Sequence, residues 1–149
     1  MSRKIPALVA TVAIVAMSAA TMAITSSGGA QAPSETVLSY TVRAAGGTFV
    51  DSKPKGDSRA DFVVFEDRLL TGNRVVGRER GTCFVANART HVTVCTMGWV
   101  LPDGTLTTSG ATGADPPFTM PVTGGTGRFA GARGTALVQR TKVTFRLLP

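Results

Sequence analysis

The sequence contains few of the residues on which catalytic and metal sites depend. Only 6% of its 149 residues are aromatic, and it has one histidine, His91, and two cysteines, Cys83 and Cys95. A hydrolytic triad needs a histidine within a Ser-Asp or Cys-Asp framework, and the sequence builds no such framework around His91. We therefore interpret His91 as a surface residue at a turn. A metal site would need more ligands than these three residues supply, so we predict no bound metal.

Acidic residues are missing from the last part of the chain, which has no Asp or Glu after Asp115. This absence bears on the glycine-rich run Gly124–Gly127, whose spacing up to Ala130 matches a dinucleotide-binding fingerprint. The fingerprint requires a helix after the glycines and an acidic residue about 20 positions further on. Gly131 and Gly134 interrupt any such helix, and neither an acidic residue nor a Gly-Lys-Ser/Thr motif follows. The sequence thus argues against a nucleotide site.

The N-terminal stretch has the pattern of an export signal. Arg3 and Lys4 form a basic region, residues 5–24 carry no charge, and Ala30-Gln31-Ala32 is an A-x-A cleavage pattern. We expect residues 1–32 to be a signal peptide cleaved near Ala32, which makes the protein secreted or extracellular. Retention of the apolar stretch as a membrane anchor is the alternative. Residues 33–149 are then one domain, large enough for a single hydrophobic core.

The two cysteines and the charge add to this interpretation. An exported protein meets oxidising conditions, so the even pair predicts a disulfide between Cys83 and Cys95. The chain carries a formal net charge of +7 at pH 7, and basic residues dominate its end. We expect a solvated basic face and no specific nucleic acid. An anionic component of the cell envelope is the partner that such a face would suit.

Beyond the signal, nearly every segment has the composition of a β-strand. Val, Thr and Phe are frequent, while Gly, Pro, Asp and Asn interrupt the chain at short intervals. Residues 46–58 form one long polar loop, and no stretch keeps a helical period. The predicted strands are Thr36–Ala44, Asp61–Leu69, Arg74–Val85, His91–Leu101, Thr105–Gly110, Phe118–Val122, Thr135–Arg140 and Lys142–Leu148. Eight short strands in one all-β domain fit either a closed barrel or a sandwich.

The predicted disulfide sets a register for one hairpin. If Cys83 and Cys95 lie directly across from each other, Glu79 faces Trp99 and Gly81 faces Met97 on the same side of the sheet. An ionisable group beside an aromatic and a thioether suits an interior, where desolvation would raise the pKa of the carboxyl. We therefore take Glu79 as the candidate catalytic acid, with Met97 and Trp99 as cavity residues. The alternative is that Glu79 pairs with an arginine at a rim.

Tyr40, the only tyrosine, lies in the first predicted strand. Its phenol would either point into the cavity as a ligand contact or pack at one end of the domain. We include Tyr40 among the candidate cavity residues.

Several motifs resemble the dirigent and allene oxide cyclase-like barrel family. The run Gly124–Gly134, GGTGRFAGARG, is similar to the family's closing hairpin. Residues 61–67 (DFVVFED) look like its second strand, residues 76–82 (VGRERGT) like the start of its third, and residues 103–106 (DGTL) like its next turn. The resemblance implies an eight-stranded antiparallel β-barrel with an apolar cavity, commonly trimeric, with no metal or organic cofactor. It favours the barrel over the sandwich.

The resemblance also implies a role. Family members confine a small hydrophobic substrate and direct its stereoselective coupling or cyclisation, without a cofactor of their own. We expect the same here, with the chemistry left open between cyclase, isomerase and stereo-directing protein. Two alternatives remain: a lipocalin-like carrier that binds an apolar molecule without chemistry, and a basic structural barrel held at the cell envelope by charge.

Overall fold

The computed structural model describes residues 34–56, 58–113 and 115–149, and the predicted signal peptide lies outside these ranges. Strands account for most of the described chain. Their bounds are β1 Thr36–Val50, β2 Phe62–Thr71, β3 Arg74–Asn87, β4 Val92–Leu101, β5 Gly104–Gly113, β6 Phe118–Gly127, β7 Gly134–Gln139 and β8 Lys142–Leu147. None of the described segments is a helix that could span a membrane.

Each strand pairs antiparallel with the next along the chain, and β1 pairs with β8, which closes the sheet into a barrel. The predicted all-β class and the eight-stranded antiparallel barrel are thereby confirmed. Closure pairs the edges that an open sheet would expose. An eight-stranded barrel has an interior that side chains can fill or that can hold one small ligand.

Several strands extend beyond their predicted bounds, β1 and β6 by the most. β1 continues through Gly46 and Gly47 to Val50, where a polar loop was expected, and Ala45 forms a β-bulge in its pairing with β2. The bulge takes up one extra residue of β1, and the pairing of β1 with β2 then continues from Gly46 to Val50. β6 likewise continues to Gly127 and includes most of the glycine-rich run. The polar loop between β1 and β2 therefore begins later than predicted.

The hairpin of β3 and β4 has the predicted register. Cys83 lies opposite Cys95 and the two form a disulfide, while Glu79 lies opposite Trp99 and Gly81 opposite Met97. Because alternate residues of a strand point to opposite faces, one register fixes the side of all these residues. The structure turns this side inward: Glu79, Met97 and Trp99 are all buried.

One end of the barrel is filled by side chains. Trp99 packs edge-on against Phe145, with ring centroids 5.1 Å apart, and Leu106, Met120 and Val143 are fully buried around them. The Trp99 indole N–H donates a hydrogen bond to the Thr108 hydroxyl at 3.0 Å. This bond satisfies two polar groups that burial would otherwise penalise. We call this end, which carries the turns after β2, β4 and β6, the closed end.

The glycine-rich run contributes to the closed end in two ways. Gly125 lies where the backbone of Thr105 and of Phe129 approaches it closely, so an added Cβ would lie 2.5 Å from each carbonyl oxygen. Gly127 has a φ of 59° and begins the reversal toward β7. Phe129 then turns back into the core and is 6% exposed. The run is a backbone device that seals this end of the barrel.

The opposite end, which we call the open end, carries the β1–β2 loop and the turns after β3, β5 and β7. Asp61 anchors the loop: its buried carboxylate accepts hydrogen bonds from the Ser52 and Ser58 backbone amides at 2.7 and 2.8 Å, and from the Ser58 hydroxyl at 2.8 Å. The Ser58 amide is the main cause that lowers the pKa of Asp61. The loop thus has a fixed position beside the cavity described next.

Candidate functional site

The interior of the barrel is hollow toward the open end. A cavity of about 450 Å³ lies there, within the size range of small-molecule sites. Its wall is mostly apolar and includes four phenylalanines: Phe49, Phe62, Phe65 and Phe118. Large aromatic faces bind flat apolar ligands well, because they offer contact area with little conformational entropy to lose. The cavity is therefore suited to a small hydrophobic molecule.

Glu79 is the most deeply buried ionisable group of the cavity wall, with 2% of its surface exposed. It lies on β3 between Asp67 on β2 and Trp99 on β4. Among the described residues, none donates a hydrogen bond to its carboxyl or pairs with it as a cation. Burial, and then the neighbouring Asp67 carboxylate, raise the pKa of Glu79 to about 8. The side chain is therefore mainly protonated at neutral pH.

Asp67 is the second carboxyl of the cavity wall and lies directly opposite Glu79 in the β2–β3 pairing. It is half-buried, and burial raises its pKa, an effect that the backbone N–H of the bulge residue Ala45 partly opposes. Two acids side by side in a poorly solvated place cannot both ionise easily. Together they form a pair that can hold a proton and pass it on.

The predicted cavity residues do not all reach the cavity. Met97 lines the wall beside Glu79, whereas the structure places Trp99 in the packed core at the closed end, against Phe145. Tyr40 also packs on Phe145, with ring centroids 6.4 Å apart, and is not part of the wall. Each residue faces inward, but an inward side chain borders the cavity only in the open half of the barrel.

The surroundings of the Tyr40 phenol also belong to the closed end. Burial is the main cause that raises the pKa of Tyr40, followed by the Asp103 carboxylate, while Arg128 opposes both. Asp103 and Arg128 form an ion pair there at 3.4 Å. The sequence left two roles open for Tyr40, and its position matches the second, packing at one end of the barrel.

The disulfide and the outer loops complete the wall. Both Cys83 and Cys95 line the cavity, so the covalent bond between β3 and β4 also shapes the site. At the rim, His91 and Arg140 line the cavity from the turns after β3 and β7. His91 is exposed at its turn, as predicted, and has a φ of 51°.

The sequence-based prediction missed several residues of this site, among them the four wall phenylalanines, Asp67 and Arg140. Asp67 was noticed only as part of a motif, and Arg140 only as one basic residue among several. No signal in the sequence places Asp67 opposite Glu79, whereas the signal for Arg140 would have been its place in the turn after β7. Within the described residues, no group of three or more His, Cys, Asp or Glu side chains could hold a metal ion.

The barrel and its motifs agree with a known family. The model of the family described as dirigent-like protein matches residues 30–147. The match covers most of the chain, from the first strand to the last, so the chain belongs to the dirigent-like protein family. A comparison with curated protein sequences found no match.

Solved structures of several barrels are similar to this one. A pyocyanin demethylase shares 26% identity, with 76% of this chain and 100% of that chain covered and a TM-score of 0.72. A pterocarpan synthase dirigent protein shares 19% identity over 76% of this chain and 88% of its own, with a TM-score of 0.59. A Diels-Alderase from Streptomyces koyangensis shares 15% identity over 77% of this chain and 70% of its own, with a TM-score of 0.58. At 19% and 15% identity, the likeness to the dirigent protein and to the Diels-Alderase shows a common fold.

Proposed function

We propose that this barrel binds a small hydrophobic molecule in its cavity and directs its cyclisation, coupling or rearrangement, with Glu79 as the group that transfers protons. The observation that carries the proposal is the position of Glu79, buried at the wall of an apolar cavity with no protein partner for its carboxyl. Among the described residues, no fully buried side-chain oxygen lacks a partner, so the Glu79 carboxyl is open to the cavity, where a ligand can meet it. A carboxyl that is desolvated in this way and free of a protein partner is costly to the fold. Functional sites are where such costs are found.

The proposed chemistry follows from the protonation of the pair. With a pKa near 8, Glu79 is mainly a neutral acid at pH 7 and donates its proton to a carbonyl or epoxide oxygen of the substrate. The resulting carboxylate then accepts the proton that the substrate releases from carbon or oxygen after ring closure, which restores the acid. Such a rearrangement within one molecule needs no oxidant. The apolar wall holds one conformer and excludes water from the reacting atoms.

The similar proteins support the reaction class without naming the substrate. A dirigent protein and a Diels-Alderase use the same fold, and both names describe control over bond formation. The more similar demethylase acts on pyocyanin, so pyocyanin is the first defined compound to test. Metabolites extracted from cultures of the producing cells form the broader set.

The test compares the wild-type protein with Glu79→Gln. Native mass spectrometry identifies bound molecules, and liquid chromatography with mass spectrometry follows their conversion. We expect Glu79→Gln to keep binding and to lose conversion by about a hundredfold or more. The matched control is Glu66→Gln, because Glu66 lies on the outer face, where it pairs with Arg78 and Arg80. Unchanged conversion by Glu79→Gln would remove Glu79 from the mechanism, and a ligand released unchanged from the wild type would indicate a carrier.

We further propose that the protein is exported and assembles as a trimer. The disulfide supports export, since such bonds are typical of oxidising compartments. Apolar side chains on the outer face, among them Val64, Phe84 and Val94, support contact with another subunit. N-terminal sequencing of protein from the culture medium tests cleavage near Ala32. Light scattering tests the trimer, and washing intact cells with concentrated salt tests attachment to an anionic envelope component.

A further inference from the structure

The cavity has opposite electrical character at its two ends. Glu79 and Asp67 line its inner part, and Arg140 lines it at the rim. Val85, a wall residue toward the rim, lies six positions after Glu79 on the same strand, which corresponds to about 20 Å. The wall between them is mostly apolar. A ligand that spans this length meets acids at its inner end and a cation at its outer end.

Basic residues slightly outnumber acidic ones in the loops and turns of the open end. The sequence has five Lys or Arg there, Lys53, Lys55, Arg59, Arg89 and Arg140, and four Asp, Asp51, Asp57, Asp61 and Asp115. Asp61 is buried within the loop and spends its oxygens on Ser52 and Ser58. Positive charge at the mouth of an apolar cavity raises the local concentration of anions.

The arginine at the rim has no acidic partner among the described residues. The four ion pairs that these residues form involve Glu66 on the outer face, and Asp103 and Glu35 toward the closed end. Arg140 is exposed in its turn, so water solvates it in the absence of a ligand. Its planar guanidinium matches a carboxylate in a two-pronged hydrogen bond, and it can pair with the single oxygen of a phenolate by charge.

We propose that the substrate is an aromatic molecule with an anionic oxygen group, and that Arg140 holds this group at the mouth while the rings fill the cavity toward the carboxyl pair. This inference rests on the proposed function and adds its substrate class and orientation. The four phenylalanines of the wall suit the rings. The reverse orientation would put the anion against Asp67 and Glu79, where like charge and poor solvation both oppose it. Arg140 is thus a specificity-determining residue.

Three probes of one shape test the charge requirement: anthracene-2-carboxylate, the neutral 2-carboxamide and the cationic 2-carboxamidine. Binding to the purified protein is measured by fluorescence and calorimetry at low and high salt. We expect the carboxylate to bind about tenfold more tightly than the carboxamide at low salt, with a smaller ratio at high salt. Arg140→Gln should bring the ratio close to one and leave carboxamide binding unchanged.

The control is Arg133→Gln, which removes the same charge at the closed end just before β7 and should leave the ratio as in the wild type. Equal binding of carboxylate and carboxamide, tightest binding of the carboxamidine, or an equal effect of both arginine variants would overturn the inference. The proposed cavity function would survive each of these results, because the neutral probe still binds. Absence of binding by all three probes would overturn this inference, while the proposed function is decided separately by the conversion test with Glu79→Gln.

Discussion

Asp67 and Glu79 lie directly opposite each other on β2 and β3, and both carboxyls belong to the cavity wall. A cross-strand pair of this kind brings like charges close together, which a solvated surface would tolerate and a buried wall does not. The consequence is that the Asp67 carboxylate adds to the effect of burial and raises the pKa of Glu79 further. A change at Asp67 should therefore alter the titration of Glu79.

We expect Asp67→Asn to lower the pKa of Glu79 from about 8. The Asp67 carboxylate is the second cause of the raised value, so its loss favours ionised Glu79. Burial is the larger cause and remains, so the pKa should stay above the ordinary value of 4.5. Carbon NMR with labelled glutamate measures this directly, because the chain has only three glutamates. Glu66→Gln is the control, and an unchanged Glu79 titration in Asp67→Asn would contradict the coupling.

Glu79 should also make the protein less stable as the pH rises. Its pKa is higher in the folded than in the unfolded chain, so folding favours the protonated form. The stabilising contribution is complete below about pH 4.5 and is lost as the pH rises to about 8. Each pH unit in this interval costs about 1.4 kcal/mol, so the total loss of unfolding free energy is at most about 5 kcal/mol. Glu79→Gln should therefore gain stability over the wild type across this interval, as measured by urea unfolding.

Glu66 provides the control for this measurement, because its contribution to stability depends on pH in the opposite direction. Hydrogen bonds from Arg78 and then Arg80 lower the pKa of Glu66 on the outer face. Its stabilising contribution is present above about pH 4.5 and disappears as the pH falls through the lowered value. Glu66→Gln should thus be less stable than the wild type at neutral pH and equal to it in acid. Parallel pH profiles for the wild type and Glu79→Gln would show that Glu79 ionises without a penalty.

The position of Glu79 could be predicted from the sequence, whereas that of Asp67 could not. The disulfide cysteines fix the β3–β4 register because their side chains must meet, and that register puts Glu79 beside Trp99. The β2–β3 hairpin offers only the turn at Gly72-Asn73 as a guide. Counting back from this turn pairs Asp67 with Arg78, one residue away from its true partner. A β-bulge at Val76 on β3, which faces Leu69 and Leu70 of β2, adds the missing residue, and no composition signal marks it.

The sequence also could not predict which part of the barrel interior is filled by side chains and which part is hollow. Alternation shows which side chains point inward, and Trp99, Met97 and Tyr40 all do. Whether an inward side chain borders a cavity depends on how far neighbouring strands fill the same level of the barrel. Leu106, the cross-strand partner of Trp99 on β5, and Phe145 on β8 fill the level of Trp99. The turn between β4 and β5 predicts the first contact, whereas no local pattern predicts the contact with Phe145. Such non-local packing requires the closed barrel.

Removal of the disulfide should weaken the fold without abolishing it. The bond joins residues 12 positions apart, and a loop of this length is worth about 2–3 kcal/mol in the entropic account. We expect the double variant Cys83→Ala/Cys95→Ala to lose about this free energy of unfolding in urea. A strong reductant should lower the stability of the wild type toward that of the variant and leave the variant unaffected. Equal stability of both proteins would contradict the prediction.

The hydrogen bond between Trp99 and Thr108 should be a sensitive point of the closed end. Thr108→Val keeps the shape of the side chain and leaves the buried indole N–H without its acceptor, at a cost of about 1–3 kcal/mol. Trp99 is the only tryptophan, so its fluorescence reports unfolding directly. Thr107→Val makes the same chemical change on the neighbouring residue, which is not buried, and should alter stability by less than about 0.5 kcal/mol. Similar losses in both variants would mean that the hydrogen bond is not the cause.

Two adjacent glycines of the diagnostic run allow a sharper comparison. At Gly125, an added Cβ would lie 2.5 Å from the carbonyl oxygens of Thr105 and Phe129, and neither backbone segment can move without opening the closed end. At Gly124, an added Cβ would meet nothing within 4 Å. We expect Gly125→Ala to cost about 1–3 kcal/mol or more by overpacking. Gly124→Ala should be neutral or slightly stabilising, because alanine restricts the unfolded chain.

Urea unfolding of both glycine variants measures this difference, with circular dichroism to show that each retains its strands. The comparison separates two explanations of the run. If the glycines served only to make the chain flexible, the two substitutions would have similar effects. A large loss confined to Gly125→Ala would instead show that close backbone approach requires glycine there, since Phe129 must pass within van der Waals distance of β6 to enter the core. The run would then mark the sealed end of the barrel, and the chemistry would belong to the other end.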